Sequence, residues 1–197
     1  MNEFKTIFEG DFTEIITPAW ADTYEILHEG NIAIILPILD GKIGVRKEWC
    51  PSYIVKDTTG ENKYYTVVSG HVEEGEDVLT TGLRELKEEA GITILSGKMI
   101  KVFEEIPVCK STDMRATFFI ADIDKYEVQK PEGDGSEGEK RSETVWISLS
   151  EFHKVIQKRN IDMLVFSAYT MVKLYLNSKS DISIAPNKKL EENDVDN

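Results

Sequence analysis

The chain has 197 residues, enough for one ordinary domain with a sizeable core, or for one domain with small additions. It is 41% hydrophobic and 30% charged, as globular proteins are, and its net charge of −13 argues against nonspecific binding to DNA, RNA or an anionic membrane. The two cysteines, Cys50 and Cys109, form no CxxC pair, so they offer no zinc site and point to a reducing compartment.

The first residues, Met1-Asn2-Glu3-Phe4-Lys5, lack a basic stretch leading into an apolar one, so no signal peptide is expected. A cytoplasmic protein follows by elimination. Residues 4–30 alternate loosely and predict short strands, a small N-terminal β addition spanning 1–30. The isoleucine-rich run Asn31 to Leu39 predicts a strong strand. Pro37 interrupts it, and it is too short to cross a bilayer. Asp40-Gly41 is a hairpin turn signal, with Lys42 to Lys47 as the returning strand. Lys63 to Ser69 is a further β-rich run.

A helix is expected from Asp77 to Ala90. Asp77 suits its N-cap and Gly91 the left-handed position after its end. Leu79, Leu83, Leu86 and Ala90 fall on one side of it at helical spacing. Gly82 lies mid-helix at a cost of about 1 kcal/mol, which close packing against a sheet would explain. Two strands follow, Met99 to Ile106 and Arg115 to Asp122. The stretch Pro131 to Ser142, rich in Gly, Glu and Asp, reads as a loop. A short strand covers Thr144 to Ser148, and Ser150 is the expected cap of a short helix holding Glu151 and His153. A last helix runs from Asp162 to Leu176, with Leu164, Ala168, Met171 and Tyr175 on its buried side. The main domain is thus expected over 31–176, and residues 177–197 as a polar, disordered tail.

The most informative residues lie on the first helix. Glu85, Glu88 and Glu89 stand at i, i+3 and i+4, on one face of a single turn. Like charges so placed repel by up to about 0.5 kcal/mol per pair on an exposed helix. A cation over the cluster accounts for the arrangement. Because every ligand is oxygen, the expected cation is magnesium or manganese.

Gly70, Glu76, Arg84, Glu85, Leu86, Glu88, Glu89, Gly91 and Ile92 fill every fixed position of the Nudix box, so the chain resembles the Nudix hydrolases. The resemblance implies an α/β fold, an α/β/α sandwich around a mixed β-sheet, with the box as a loop–helix–loop. It implies a metal-dependent hydrolase that cleaves the pyrophosphate of a nucleoside diphosphate linked to a group X. Glu85, Glu88 and Glu89 would then hold magnesium, joined by the Gly70 carbonyl. Arg84 would orient the glutamates and Glu76 would tie the loop to the helix. In much of the family a loop glutamate outside the box is the general base. Glu139 is the first candidate here and Glu137 the second, with Glu143 just beyond, and Glu88 remains an alternative.

Asn31 to Arg46 looks like the strand pair before the box in ADP-ribose pyrophosphatases. Those enzymes carry a small N-terminal β addition that helps to build a homodimer. The resemblance therefore favours ADP-ribose or another NDP-sugar as the small-molecule substrate, giving a nucleoside monophosphate and a sugar phosphate. The chain departs from many of them in having Val68-Ser69-Gly70 where proline-alanine-glycine opens the box. Arg46 and Lys47 are candidates for holding a phosphate at the mouth of the site, or are an ordinary strand-end pair. Trp49, Tyr53 and Tyr64 are candidates for stacking a base, or for packing. His71 reads as loop structure. Alternatives within the family are nucleoside triphosphates, dinucleotides such as NADH or diadenosine polyphosphates, and capped RNA. Outside enzymes, the alternative is a Nudix-fold nucleotide sensor.

Overall fold

The computed structural model describes residues 4–11, 13–21, 23–49, 63–131, 133 and 140–182. Strands β1 (Phe4–Glu9), β2 (Glu14–Pro18) and β3 (Ile26–His28) form an antiparallel sheet of their own in that order. It is tied to the body through residues 110–113. Leu27 N–H donates to Ser111 O at 2.9 Å, Tyr24 Oη donates to Lys110 O at 2.8 Å, and His28 pairs with Asp113.

The isoleucine-rich run is β4 (Ile32–Leu39), and it returns as β5 (Lys42–Glu48). Asp40 and Gly41 between them have φ of 49° and 72°, both left-handed, as a two-residue hairpin of this twist requires. The expected single strand over 63–69 is two: β6 (Tyr64–Thr66) on β5, and β7 (Val68–His71) on β4. This split explains how Pro37 survives inside a central strand. β7 pairs with Ile32 to Ile35 and β5 with Ile38 and Leu39, so Pro37 falls in the gap between two ladders where no N–H is needed.

Strands β8 (Met99–Pro107), β9 (Arg115–Ile123) and β10 (Glu143–Ile147) complete a seven-stranded sheet of order β10-β5-β4-β9-β8. β4 and β9 run parallel and the other pairs antiparallel, so the sheet is mixed. Helix α1 (Val78–Ala90) covers one face, over Ala33, Ile35, Val68 and Phe119. Helices α2 (Leu149–Val155) and α3 (Met163–Ile182) cover the other, over Ile32, Ile34, Leu36 and Phe118. Strand alternation assigns neighbouring residues of β4 to opposite cores, which is why an unbroken apolar run was needed. The result is the α/β/α sandwich expected.

Two boundaries differ from expectation. Ser148, not Ser150, caps α2: its hydroxyl accepts Glu151 N–H at 3.2 Å and Glu151 Oε2 accepts Ser148 N–H at 2.7 Å. This is a capping box, which Ser150 has no glutamate at the right spacing to form. Helix α3 continues to Ile182, through residues expected in the tail, because the first breaker after it is Pro186. The rest of the expected tail lies outside the described residues.

Candidate active site

The box folds as a loop, a helix and a loop for local reasons. Asp77 Oδ1 accepts Leu79 and Thr80 N–H, both at 2.9 Å, and opens α1 as expected. Gly91 ends it at φ 67°. Four successive carbonyls of the last turn all find donors. Leu86 O accepts Ile92 N–H at 2.9 Å, Lys87 O accepts Gly91 N–H at 3.1 Å, and Glu88 O accepts Gly133 N–H at 3.0 Å. Glu89 O accepts the Arg46 guanidinium at 2.5 Å, from another strand. Gly82 explains itself as expected: a Cβ there would lie 2.9 Å from Met99 Cε and 3.4 Å from Ile35 Cγ1, so its absence lets the helix settle on the sheet.

Arg84 is the hub of the carboxylates. It donates to Glu85 Oε1 at 2.6 Å, Glu88 Oε2 at 3.1 Å, both oxygens of Glu76 at 3.2 Å, and His71 O at 3.1 Å. Charge-assisted bonds of this kind are roughly twice as strong as neutral ones. The bond to Glu76 is the main reason the guanidinium is held even more firmly protonated than usual. The same bond, against some burial and with help from the Thr81 hydroxyl at 2.7 Å, holds Glu76 below the usual carboxylate range. Glu76 thus links loop to helix. Gly70 lies flat against Glu85: a Cβ there would sit 1.8 Å from Glu85 Oε1, so no other residue fits.

Glu89 is in a different environment. Burial pushes its carboxyl well above the usual range, the charges of Glu48 and Glu85 push it further, and Arg46 and the Ser69 N–H oppose them. Ser69 N–H reaches Glu89 Oε2 at 3.1 Å and Arg46 Nε stands 4.0 Å from the same oxygen. Arg46 also donates to Glu48 Oε1 at 2.9 Å and Thr144 Oγ1 at 3.2 Å. Burial likewise raises Glu48, with Arg46 pulling the other way. Removing one partner from a buried ionic group typically costs about 3–5 kcal/mol, because the charge left behind is uncompensated.

Among the described residues, no three metal-ligating side chains are already closed into a coordination shell, and Arg84 holds one oxygen each of Glu85 and Glu88. The donor set nevertheless fits a hard divalent cation. It supplies three carboxylates from one helix turn, all of them oxygen donors, and burial raises the carboxyl of one of them, Glu89.

The candidates of the sequence reading separate here. Arg46 is 2% exposed and its guanidinium is committed to protein acceptors, not set at an open mouth. Lys47 points to the opposite face of β5, its ammonium 5.7 Å from the centre of the Tyr65 ring. Adjacent strand residues cannot share a face, so the two cannot work as a pair. Trp49 lies in a cleft of about 460 Å³ with Lys63, Lys140, Arg141, Ser142 and Glu143. The Arg141 guanidinium stacks 4.9 Å above its ring. Tyr64 is buried at the start of β6, and His71 lends its carbonyl to Arg84. Glu137, Glu139 and Tyr53 lie outside the described residues. Sequence reasoning missed Glu48 and Thr144. Alternation along β5, which puts Gly44, Arg46 and Glu48 on the face toward α1, was the available signal for Glu48.

A carboxylate-bearing helix clamped by arginine, on a mixed sheet between helical layers, defines a Nudix pyrophosphatase. The NUDIX domain family model matches residues 33–167, well over half the chain, and the chain belongs to the Nudix family. One solved structure, that of an ADP compounds hydrolase, is similar in fold, with a TM-score of 0.64 at 15% identity over 90% of this chain and 93% of that one. No curated protein sequence matches the chain.

Proposed function

We propose that this enzyme is a magnesium-dependent hydrolase of ADP-ribose or another NDP-sugar, releasing a nucleoside monophosphate and a sugar phosphate. The observation that carries the reading is the set Glu85, Glu88 and Glu89 on one helix turn, the first two organised by Arg84 and the third by Ser69 N–H and Arg46. The fold likeness to an ADP compounds hydrolase supports the substrate class. Glu85, Glu88 and Glu89 would hold the metal, with the Gly70 carbonyl beside them. Once bound, magnesium supplies charge neutralisation of the diphosphate and a more acidic water. Arg84 keeps the carboxylates aimed. Glu139, or else Glu137, removes the proton of the attacking water, with Glu88 as the alternative base. The cleft of Trp49 and Arg141 suits a flat base or an anionic end of the substrate, since it joins an aromatic face to cations.

The enzyme acts as a homodimer in this reading. Support comes from β1, on which Phe4, Ile7 and Phe8 are all exposed. No described helix is long and apolar enough to cross a membrane.

Purified protein with magnesium should release AMP from ADP-ribose, followed by chromatography of the products. Turnover of nucleoside triphosphates or dinucleoside polyphosphates alone would remove the NDP-sugar assignment and leave the family intact. No turnover over a broad panel, with either magnesium or manganese, would favour a nucleotide sensor.

A further inference from the structure

We propose that Arg46 is a positioning residue for Glu89, fixing from β5 the turn of α1 that carries the metal carboxylates. The inference rests on the reading of Glu89 as a metal carboxylate. Three observations carry it. Arg46 is nearly inaccessible, so its charge is not there for bulk solvent or for a diffusing ligand. Its Nη1 donates to the main-chain carbonyl of Glu89 at 2.5 Å, and its Nε stands 4.0 Å from the Glu89 carboxylate. The guanidinium is itself held on both sides, by Glu48 Oε1 on its own strand and Thr144 Oγ1 on β10.

Arg46 therefore grips Glu89 by backbone and side chain together. A helix ends with unmet carbonyls, and here a buried cation from another strand meets the last one before Ala90. With Ser69 N–H and Arg46 both on the Oε2 side, rotation of the carboxylate is restricted. Among the described residues no hydrogen bond occupies Glu89 Oε1, which is left to act as a ligand atom. A planar fork is required for this. A lysine keeps the charge and three donors but presents them from one atom, whereas Arg46 meets Glu48 through Nε and Glu89 and Thr144 through Nη1.

The test uses the full chain with Arg46→Lys and Arg46→Gln. Wild-type protein is first titrated with Mn2+ alone and followed by electron paramagnetic resonance. Arg46→Lys is expected to keep the Mn2+ stoichiometry and melting behaviour but to change the bound Mn2+ spectrum, with no substrate present. With ADP-ribose its kcat should fall by about tenfold or more and its KM move by less than about threefold, since a displacement near 1 Å can cost on the order of 10²-fold. Arg46→Gln should go further in the same direction. If it does not fold, Arg46→Lys decides. A wild-type spectrum and kcat in folded Arg46→Lys would overturn the proposal. So would a raised KM with kcat unchanged, which would put Arg46 on the substrate. Failure of the wild type to bind Mn2+ would overturn the metal reading itself, a separate outcome.

Discussion

Around α1, charged side chains go inside, whereas on β1 aromatic side chains go outside. Glu85 is 9% exposed and lies within a network of buried or half-buried ionic groups. Phe4 and Phe8 are 52% and 54% exposed on an edge strand whose six residues all face solvent. Each arrangement is costly for an isolated domain. Buried charge must be compensated, and exposed apolar area forgoes about 25 cal/mol per Å². The compensation differs in kind. The charged groups of the helix have their partners within the chain. The strand is paired with β2 but its apolar side chains stay uncovered among the described residues, and the second copy in the proposed homodimer would cover them. The lesson is that burial alone does not locate function, but burial against residue type does.

The largest test concerns the helix. Glu85→Gln, Glu88→Gln or Glu89→Gln should each lower kcat by at least about 10²-fold, the scale of losing one preorganised electrostatic group, with the size in solution unchanged. Gly70→Ala comes next. Its Cβ would meet Glu85 Oε1 at 1.8 Å, so urea unfolding should show a loss of about 1–3 kcal/mol, and activity should fall with it. The double variant Phe4→Ser with Phe8→Ser turns to the sheet. Sizing chromatography should show the mass halved, with Mn2+ binding retained. Retention of the wild-type size would remove β1 from the interface.

A smaller effect separates charge from shape in the loop. The Arg84 bond lowers Glu76 below its ordinary value of 4.5, so its contribution to stability is complete above that value. It is lost as pH falls through the lowered folded value. The melting difference between wild type and Glu76→Gln should therefore be largest near neutrality and vanish in acid. A gap independent of pH would show that the charge is not involved. The smallest effect is expected for Lys47→Ala, whose side chain faces away from α1. Its kcat/KM should stay within about twofold of wild type.

Much of the fold was legible because its causes are local. The β4–β5 hairpin was written in Asp40-Gly41, and the helix in Asp77, Gly91 and the leucine spacing. The division of 63–69 into β6 and β7 was not legible, since it arises from where β4 and β5 diverge. The cap of α2 was misplaced by two residues, although Ser148 and Glu151 stood at capping-box spacing. Within the site, Arg84, Glu85 and Glu88 meet as their spacing on one helix requires. Arg46 reads in the sequence as a holder of phosphate or one of an ordinary strand-end pair, and only packing shows it buried against Glu48 and the Glu89 carbonyl.

By itself the sequence determined α1, its apolar side and its carboxylate turn, because caps, period and box spacing act within a few residues of each other. It also determined the two-sided burial of β4, since an apolar run without alternation has no polar face to turn outward. Only the tertiary structure decided which charges meet across elements. Arg46 reaches Glu89 across 43 positions and Thr144 across 98, and both contacts depend on the sheet register and on the seat of α1 over it. Those are properties of packing, and so is the difference between Glu88 and Glu89, neighbours in sequence but unequal in their surroundings.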